Sequence, residues 1–129
     1  MRSIRIQTPD ELHSQVEKAL AASAHVFVLF FGREVPNTGN SWCPDCVIAE
    51  PHIRKQVSRL DNSVLIEYPV DRKTGGATTY WSSDKLNIRA IPTLVKCANP
   101  DGLTKEALVE DDCQDERNLA AFLGLDSRL

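Results

Sequence analysis

Much is missing from this chain of 129 residues, and each absence narrows what it can be. No apolar run approaches the roughly 18 residues that a membrane helix needs, so no membrane association is expected. The first residues, Met1-Arg2-Ser3-Ile4-Arg5-Ile6, lack the long apolar segment of a secretory leader. Positive charge is not in excess: 15 Lys and Arg against 18 Asp and Glu leave a net charge of −3. That balance gives no electrostatic footprint for nucleic acid. There is no Asn-x-Ser/Thr acceptor, no internal repeat and no low-complexity tract. Of the 4 cysteines, two stand outside any paired spacing, which fits a reducing compartment better than a stapled secreted domain. The expected location is therefore cytoplasmic. The length suits one domain over residues 1–129 with a real hydrophobic core.

What is present centres on Ser41-Trp42-Cys43-Pro44-Asp45-Cys46. Upstream, Val26-Phe27-Val28-Leu29-Phe30-Phe31 is an unbroken apolar run and reads as a buried strand. Downstream, Cys46, Ala49, Ile53, Val57 and Leu60 fall on one helical stripe. Strand, loop, Cys-x-x-Cys and helix is the layout of a thiol–disulfide exchange site. The first cysteine of such a turn sits at the helix end, where backbone N–H groups are unpaired and the dipole is positive, so its thiolate is favoured. Cys43 is the expected nucleophile. Cys46, facing inward, is the expected resolving thiol: it would displace the mixed disulfide and leave a Cys43–Cys46 disulfide. Asp45 between them opposes thiolate formation. Zinc binding would need four ligands, and no second Cys-x-x-Cys exists; His52, Cys97 and Cys113 would have to complete the set. No bound metal is expected.

Around this centre the pattern alternates strands and helices. Ser3 to Gln7 reads as a first strand, and Thr8-Pro9-Asp10-Glu11 as the start of a helix reaching about Ser23, with Thr8 as cap and Pro9 in its first turn. The second strand runs from His25 to Phe31. Gly32 to Asn40 is a loop, expected to act as a lip that narrows access to Cys43. The helix after Cys43 should be kinked by Pro51 and continue to Leu60, with Asp61-Asn62 ending it. Val64 to Val70 is the third strand, parallel to the second. In the loop-like stretch from Asp71 to Asp84, Tyr80-Trp81 should pack against the body of the protein, and a short helix should include Asp84 to Asn87. Pro92 opens an apolar strand to Cys97, Asn99-Pro100-Asp101-Gly102 is a turn, and Leu103 to Val109 returns antiparallel. Asp111, Asp112, Asp115 and Glu116 place negative charge at the start of a last helix that buries Leu119, Phe122 and Leu123 and stops at Gly124. Cys113, near that start, could have a lowered pKa. Cys97 reads as a small apolar filler.

The order β-α-β-α-β-α-β-β-α, with Cys-x-x-Cys opening the second helix and Ile91-Pro92-Thr93 opening the fourth strand, resembles the thioredoxin superfamily. The resemblance implies an α/β thioredoxin fold, a central mixed sheet of about five strands with helices on both faces. It further implies that Pro92 is cis and that Ile91, Pro92 and Thr93 stand beside Cys43 as a substrate groove. Ser41-Trp42-Cys43-Pro44-Asp45-Cys46-Val47 with Ala49-Glu50-Pro51, Tyr80-Trp81 and Leu108-Val109-Glu110 is similar to the thioredoxin domain-containing protein 17 branch, called Clot in plants. In that reading Trp42, Pro44 and Asp45 support the site. The branch implies a monomeric cytosolic disulfide reductase with no bound cofactor. Its electrons would come from NADPH through thioredoxin reductase. Its substrates would be small disulfides such as cystine, selected protein disulfides and, in a linked activity, peroxides. Two alternatives remain: a glutathione-dependent glutaredoxin-like protein, which the Ile-Pro-Thr order argues against, and a module whose cysteines hold a metal or a partner. One departure from thioredoxins stands out. They carry a buried acid in the second strand, and Val26 to Phe31 has none, which leaves Asp45, Glu50 or water to take the Cys46 proton.

Overall fold

In a computed structural model, residues 1–99 and 102–125 are described. The elements are β1 (Arg2–Arg5), α1 (Glu11–Ala22), β2 (His25–Gly32), α2 (Pro44–Val57), β3 (Ser63–Val70), β4 (Trp81–Ser82), β5 (Asn87–Ile88), β6 (Thr93–Ala98), β7 (Gly102–Val109) and α3 (Glu116–Leu123). A 3-10 helix, Glu110–Gln114, precedes α3. Five strands form one mixed sheet in the order β1-β3-β2-β6-β7. β1 and β2 pair parallel to β3, while β6 runs antiparallel to both β2 and β7.

The apolar run behaves as expected of a strand covered on both faces: every residue from Val26 to Phe31 is buried. Side chains alternate between the two faces. Phe27 meets Phe122 of α3, ring centroids 6.3 Å apart, and α2 packs with α3 on that face. Phe30, on the opposite face, meets Tyr68 at 5.0 Å and Trp81 at 5.5 Å. α1 buries Leu12, Val16 and Ala19 against the sheet. Helices thus cover both faces, and the strand that leads into the dithiol lies at the centre of the core.

Several boundaries differ from the expected ones. β1 is Arg2–Arg5, so the first strand begins and ends earlier. α1 begins only at Glu11, with Asp10 rather than Thr8 at its N-cap, although the Glu11 carboxylate does accept from the backbone N–H of Thr8 at 2.8 Å and of Gln7 at 3.1 Å as a capping box would. Thr8 to Asp10 are a turn rather than helix. α2 ends at Val57, not Leu60; the chain tightens through Leu60 N–H to Val57 O at 3.0 Å and leaves by Asn62 at φ 58°. Val57 and Leu60 are buried all the same, so the apolar stripe outlasts the helix.

The short helix expected over Asp84 to Asn87 does not form. β4 and β5 make a small antiparallel hairpin there, with Trp81 opposite Ile88. Trp81 is half-buried against Phe30 and Tyr68, and anchoring that indole leaves too short a return path for a helix. Asp111 and Asp112 lie in the separate 3-10 turn, entered by Glu110 at φ 51°, and only Asp115 and Glu116 sit at the start of α3. The turn expected at Asn99-Pro100-Asp101-Gly102 falls partly outside the described residues.

Candidate active site

β2 ends at Gly32, and the chain returns to it nine residues later. Loop residues Glu34 and Ser41 form an antiparallel bridge, Val35 N–H donates to Asn40 O at 2.8 Å, and Trp42 N–H donates to Arg33 O at 3.2 Å. The loop is therefore a closed, internally bonded excursion whose base delivers Trp42 and Cys43. Its last residues, Gly39 to Ser41, share a cleft with Val47, Glu50, Pro51 and Arg54 along the flank of α2.

Cys43 is the N-cap of α2, in extended backbone at φ −96°, ψ 111°, and Pro44 opens the first turn. The N–H of Cys46 is shared between Cys43 Sγ at 3.3 Å and the Cys43 carbonyl at 3.1 Å. Cys43 N–H donates to Ser41 Oγ at 3.1 Å, and Cys43 Sγ approaches the Ile91 carbonyl at 3.9 Å. The Ile91–Pro92 peptide bond is cis, and the Ile91 carbonyl stands beside Cys43. Thr93 is buried, with its hydroxyl donating to Ala90 O at 2.7 Å.

Cys46 faces inward with no exposed surface, whereas Cys43 keeps 6% of its surface open. Burial, followed by the neighbouring Cys43, pushes the Cys46 thiol well above its usual range; Gly32 N–H, 3.5 Å from Cys46 Sγ, opposes the shift. Asp45 is half-buried, with Oδ1 3.5 Å from Gln114 Nε2. Trp42 donates through its indole N–H to Val70 O at 3.0 Å, which pins the ring to the end of β3. Pro44 is exposed.

Other site features were not legible in the sequence. By sequence Gly32 is only the first residue of a loop. A Cβ there would stand 2.7 Å from Ser41 Oγ and 2.9 Å from both Cys43 Cβ and Trp42 Cε2, so only hydrogen fits. A network of charges braces α2 from below. Glu67, nearly buried in β3, accepts from Arg54 at 2.7 Å and from Arg5 at 3.0 Å. Arg5 also holds Glu34 through two bonds, at 2.9 and 2.8 Å, and keeps that carboxyl below its ordinary range. Arg54 reaches Glu50 at 3.5 Å, and burial pushes the Glu50 carboxyl up. Glu50 lies one helical turn after Cys46.

The other two cysteines stand apart from this chemistry. The expectation of a lowered pKa for Cys113 is not met: burial pushes its thiol up to about 12, and its Sγ faces the carbonyls of Leu108 at 3.3 Å and Pro92 at 3.8 Å. The backbone N–H of Leu94 favours the anion, but burial outweighs it. Cys97 is buried and pushed up to about 12 for the same reason. Among the described residues, no three His, Cys, Asp or Glu side chains are gathered so as to hold a metal, His52, Cys97 and Cys113 included. A cavity of about 640 Å³ between α1 and the β4–β5 hairpin touches neither Cys43 nor Cys46.

Residues 5–123 match the family described as thioredoxin domain-containing protein 17-like, thioredoxin domain. This chain belongs to that family. Thioredoxin domain-containing protein 17 of Epinephelus coioides is 35% identical over 91 residues, 65% of this chain and 66% of the relative. The thioredoxin-like protein Clot of Arabidopsis thaliana is 37% identical over 89 residues, 66% of this chain and 64% of Clot. The match thus spans just under two thirds of each of these relatives. Thioredoxin O1 from Arabidopsis thaliana in its oxidized state superposes with a TM-score of 0.57 at 18% identity, covering 94% of this chain and 96% of that one; it shows the fold. Membership in the thioredoxin domain-containing protein 17-like family supports a thioredoxin-type oxidoreductase role. Among the described residues no helix is long and apolar enough to cross a membrane.

Proposed function

We propose that this chain is a dithiol–disulfide oxidoreductase in which Cys43 attacks and Cys46 resolves. The observation that most supports this reading is the Cys46 N–H aimed at Cys43 Sγ, 3.3 Å away, at the open end of α2. A backbone donor in that position stabilises negative charge on sulfur. The Cys43 thiolate attacks one sulfur of a substrate disulfide. The substrate S–S bond breaks, a bond to Cys43 forms, and the departing thiolate takes up a proton. Cys46 then loses its proton and attacks Cys43 Sγ, releasing the second half of the substrate as a thiol. Two electrons and two protons pass to the substrate, and the protein is left with a Cys43–Cys46 disulfide.

Burial keeps Cys46 protonated until that second step. Glu50 suits the role of proton acceptor, because a carboxylate whose affinity for protons is raised by burial takes one more readily. Trp42 and Pro44 hold the turn, Asp45 stands at its flank, and the Ile91-Pro92-Thr93 backbone edges the groove that receives the substrate. Reduction by thioredoxin reductase, drawing on NADPH, closes the cycle. Cystine and selected protein disulfides are the substrates of this reading, with peroxide reduction as a linked activity. The protein works as a cytoplasmic monomer, and no metal or bound cofactor takes part.

NADPH consumption with thioredoxin reductase, comparing cystine with insulin as final acceptor, tests the proposal. Turnover on cystine exceeding that on insulin is the expected result. No turnover on either, with both thiols of the pair intact, would contradict it.

A further inference from the structure

Positive charge with no carboxylate partner among the described residues stands beside Trp42 and Tyr80. Arg72 Cζ lies 4.8 Å over the Trp42 ring, and Lys73 Nζ lies 4.7 Å over the Tyr80 ring. The two rings are 6.4 Å apart. Lys73 also donates to the Arg89 carbonyl at 3.1 Å. Trp42 precedes Cys43 in the chain, and Arg89 stands two residues before Ile91, whose carbonyl meets Cys43 Sγ. Contacts thus link Trp42, Tyr80, Lys73 and Arg89, and the two ends of that series are neighbours in sequence of Cys43 and of Ile91. Arg72, Lys73 and Arg89 are all exposed.

Neither Arg72 nor Lys73 makes an ion pair among the described residues. The acid next to them, Asp71, is already taken by Arg33 at 3.0 Å. An aromatic face holds a cation in place by its quadrupole and leaves the outer side of that cation free for an anion. Arg33, Arg72, Lys73, Tyr68 and Tyr80 also line a cavity of about 440 Å³, room for a small polar group beside the rim.

Resting on the oxidoreductase reading, we propose that Arg72 and Lys73 are specificity-determining residues that select disulfides carrying a carboxylate near the sulfur. Such selection requires that a carboxylate two carbons from the attacked sulfur reach this rim while the sulfur meets Cys43. A neutral substrate of the same size gains nothing there, and a cationic one is repelled.

The test uses the full, pre-reduced chain and three disulfides of similar size: dithiodipropionate, hydroxyethyl disulfide and cystamine. They are anionic, neutral and cationic in turn. Single-turnover loss of protein thiols at low ionic strength gives each rate without any reductase. The parent chain should prefer the dianion over the dication, and the Arg72→Gln, Lys73→Gln double variant should lower that ratio by roughly fivefold. Arg72→Glu should lower it further. The ratio is the decisive quantity, because any change in Cys43 reactivity cancels from it. A ratio unchanged in both variants, or an equal slowing of all three disulfides, would overturn the selectivity. No exchange with any of the three by the parent chain would overturn the oxidoreductase reading itself, and this inference with it.

Discussion

α2 and α3 begin in nearly the same backbone geometry. Cys43 caps α2 at φ −96°, ψ 111°, and Asp115 caps α3 at φ −98°, ψ 116°. Each side chain accepts from first-turn N–H groups: Cys43 Sγ from Cys46 at 3.3 Å, Asp115 Oδ1 from Arg117 at 2.8 Å and from Asn118 at 3.2 Å. A helix start favours negative charge at that spot. At α3 a carboxylate fills it and the result is stability. At α2 a sulfur fills it, and the same force acts on a group whose charge can come and go. Cys113 supplies the control. It also lies in a helical turn, yet burial keeps its proton on, outweighing the backbone N–H of Leu94 that favours the anion. At Cys113 burial outweighs nearness to a helix start.

The comparison breaks hardest at Gly32. Gly32→Ala would drive a Cβ into Ser41, Trp42 and Cys43, which displaces the α2 cap and leaves α3 alone. A loss of about 2 to 3 kcal/mol is expected from such overpacking. Exchange should slow by at least about tenfold, because the reacting group is misplaced. Denaturant unfolding and single-turnover thiol loss measure the two; a variant with parental activity would contradict the close approach.

The supports of the two helices differ as well. Glu67, beneath α2, is nearly buried between Arg5 and Arg54, and Glu67→Ala should cost about 2 kcal/mol by leaving those cations without their shared partner. Glu116, at the start of α3, meets Lys55 and His52 in full solvent, so Glu116→Ala should leave the melting temperature unchanged. Equal melting shifts in the two variants would remove the distinction.

Alkaline pH separates the remaining cysteines from the site. Cys97 and Cys113 titrate near 12 in the folded protein against an ordinary 9.0, so the folded state keeps protons that the unfolded chain releases. Their contribution is intact below pH 9 and is lost as pH rises toward 12, by up to about 1.4 kcal/mol per pH unit for each thiol. Urea midpoints at neutral and alkaline pH should diverge less in the Cys97→Ala, Cys113→Ala double variant. That variant should also retain disulfide exchange; an unaltered pH slope would contradict the assignment.

The smallest effects lie at the caps themselves. Asp115→Ala should destabilise the protein by about 1 kcal/mol. Cys43→Asp should unfold later than Cys43→Ala by about 0.5 to 1 kcal/mol, since aspartate restores the N-cap. Identical midpoints for the two Cys43 variants would mean that the sulfur does not cap α2.

The parts of the molecule written in local pattern were readable from the chain alone. The six-residue apolar run lies buried in the sheet, and the stripe from Cys46 follows α2 to Val57 with Leu60 buried just past its end; the place of Ile91 beside Cys43 was implied by the resemblance rather than by spacing. What failed depended on partners distant in sequence. Trp81 is drawn onto Phe30 and Tyr68, and the hairpin replaces a helix that Asp84 to Asn87 could otherwise have made. Gly32 looks like any loop glycine until Cys43 returns to it. Glu67 sits in a strand otherwise apolar in character, and its cations come from β1 and α2. The cationic rim is assembled from the loop after β3, the hairpin and the turn before Pro92, so no stretch of sequence displays it.

The central claim is the division of labour between Cys43 and Cys46. Its most direct test is mass spectrometry of adducts trapped when Cys43→Ser and Cys46→Ser, each pre-reduced, meet a substrate disulfide. The account predicts a mixed disulfide on Cys43 in the Cys46→Ser variant and none in the Cys43→Ser variant. Equal trapping by both, or an adduct on Cys97 or Cys113 in place of Cys43, would contradict it.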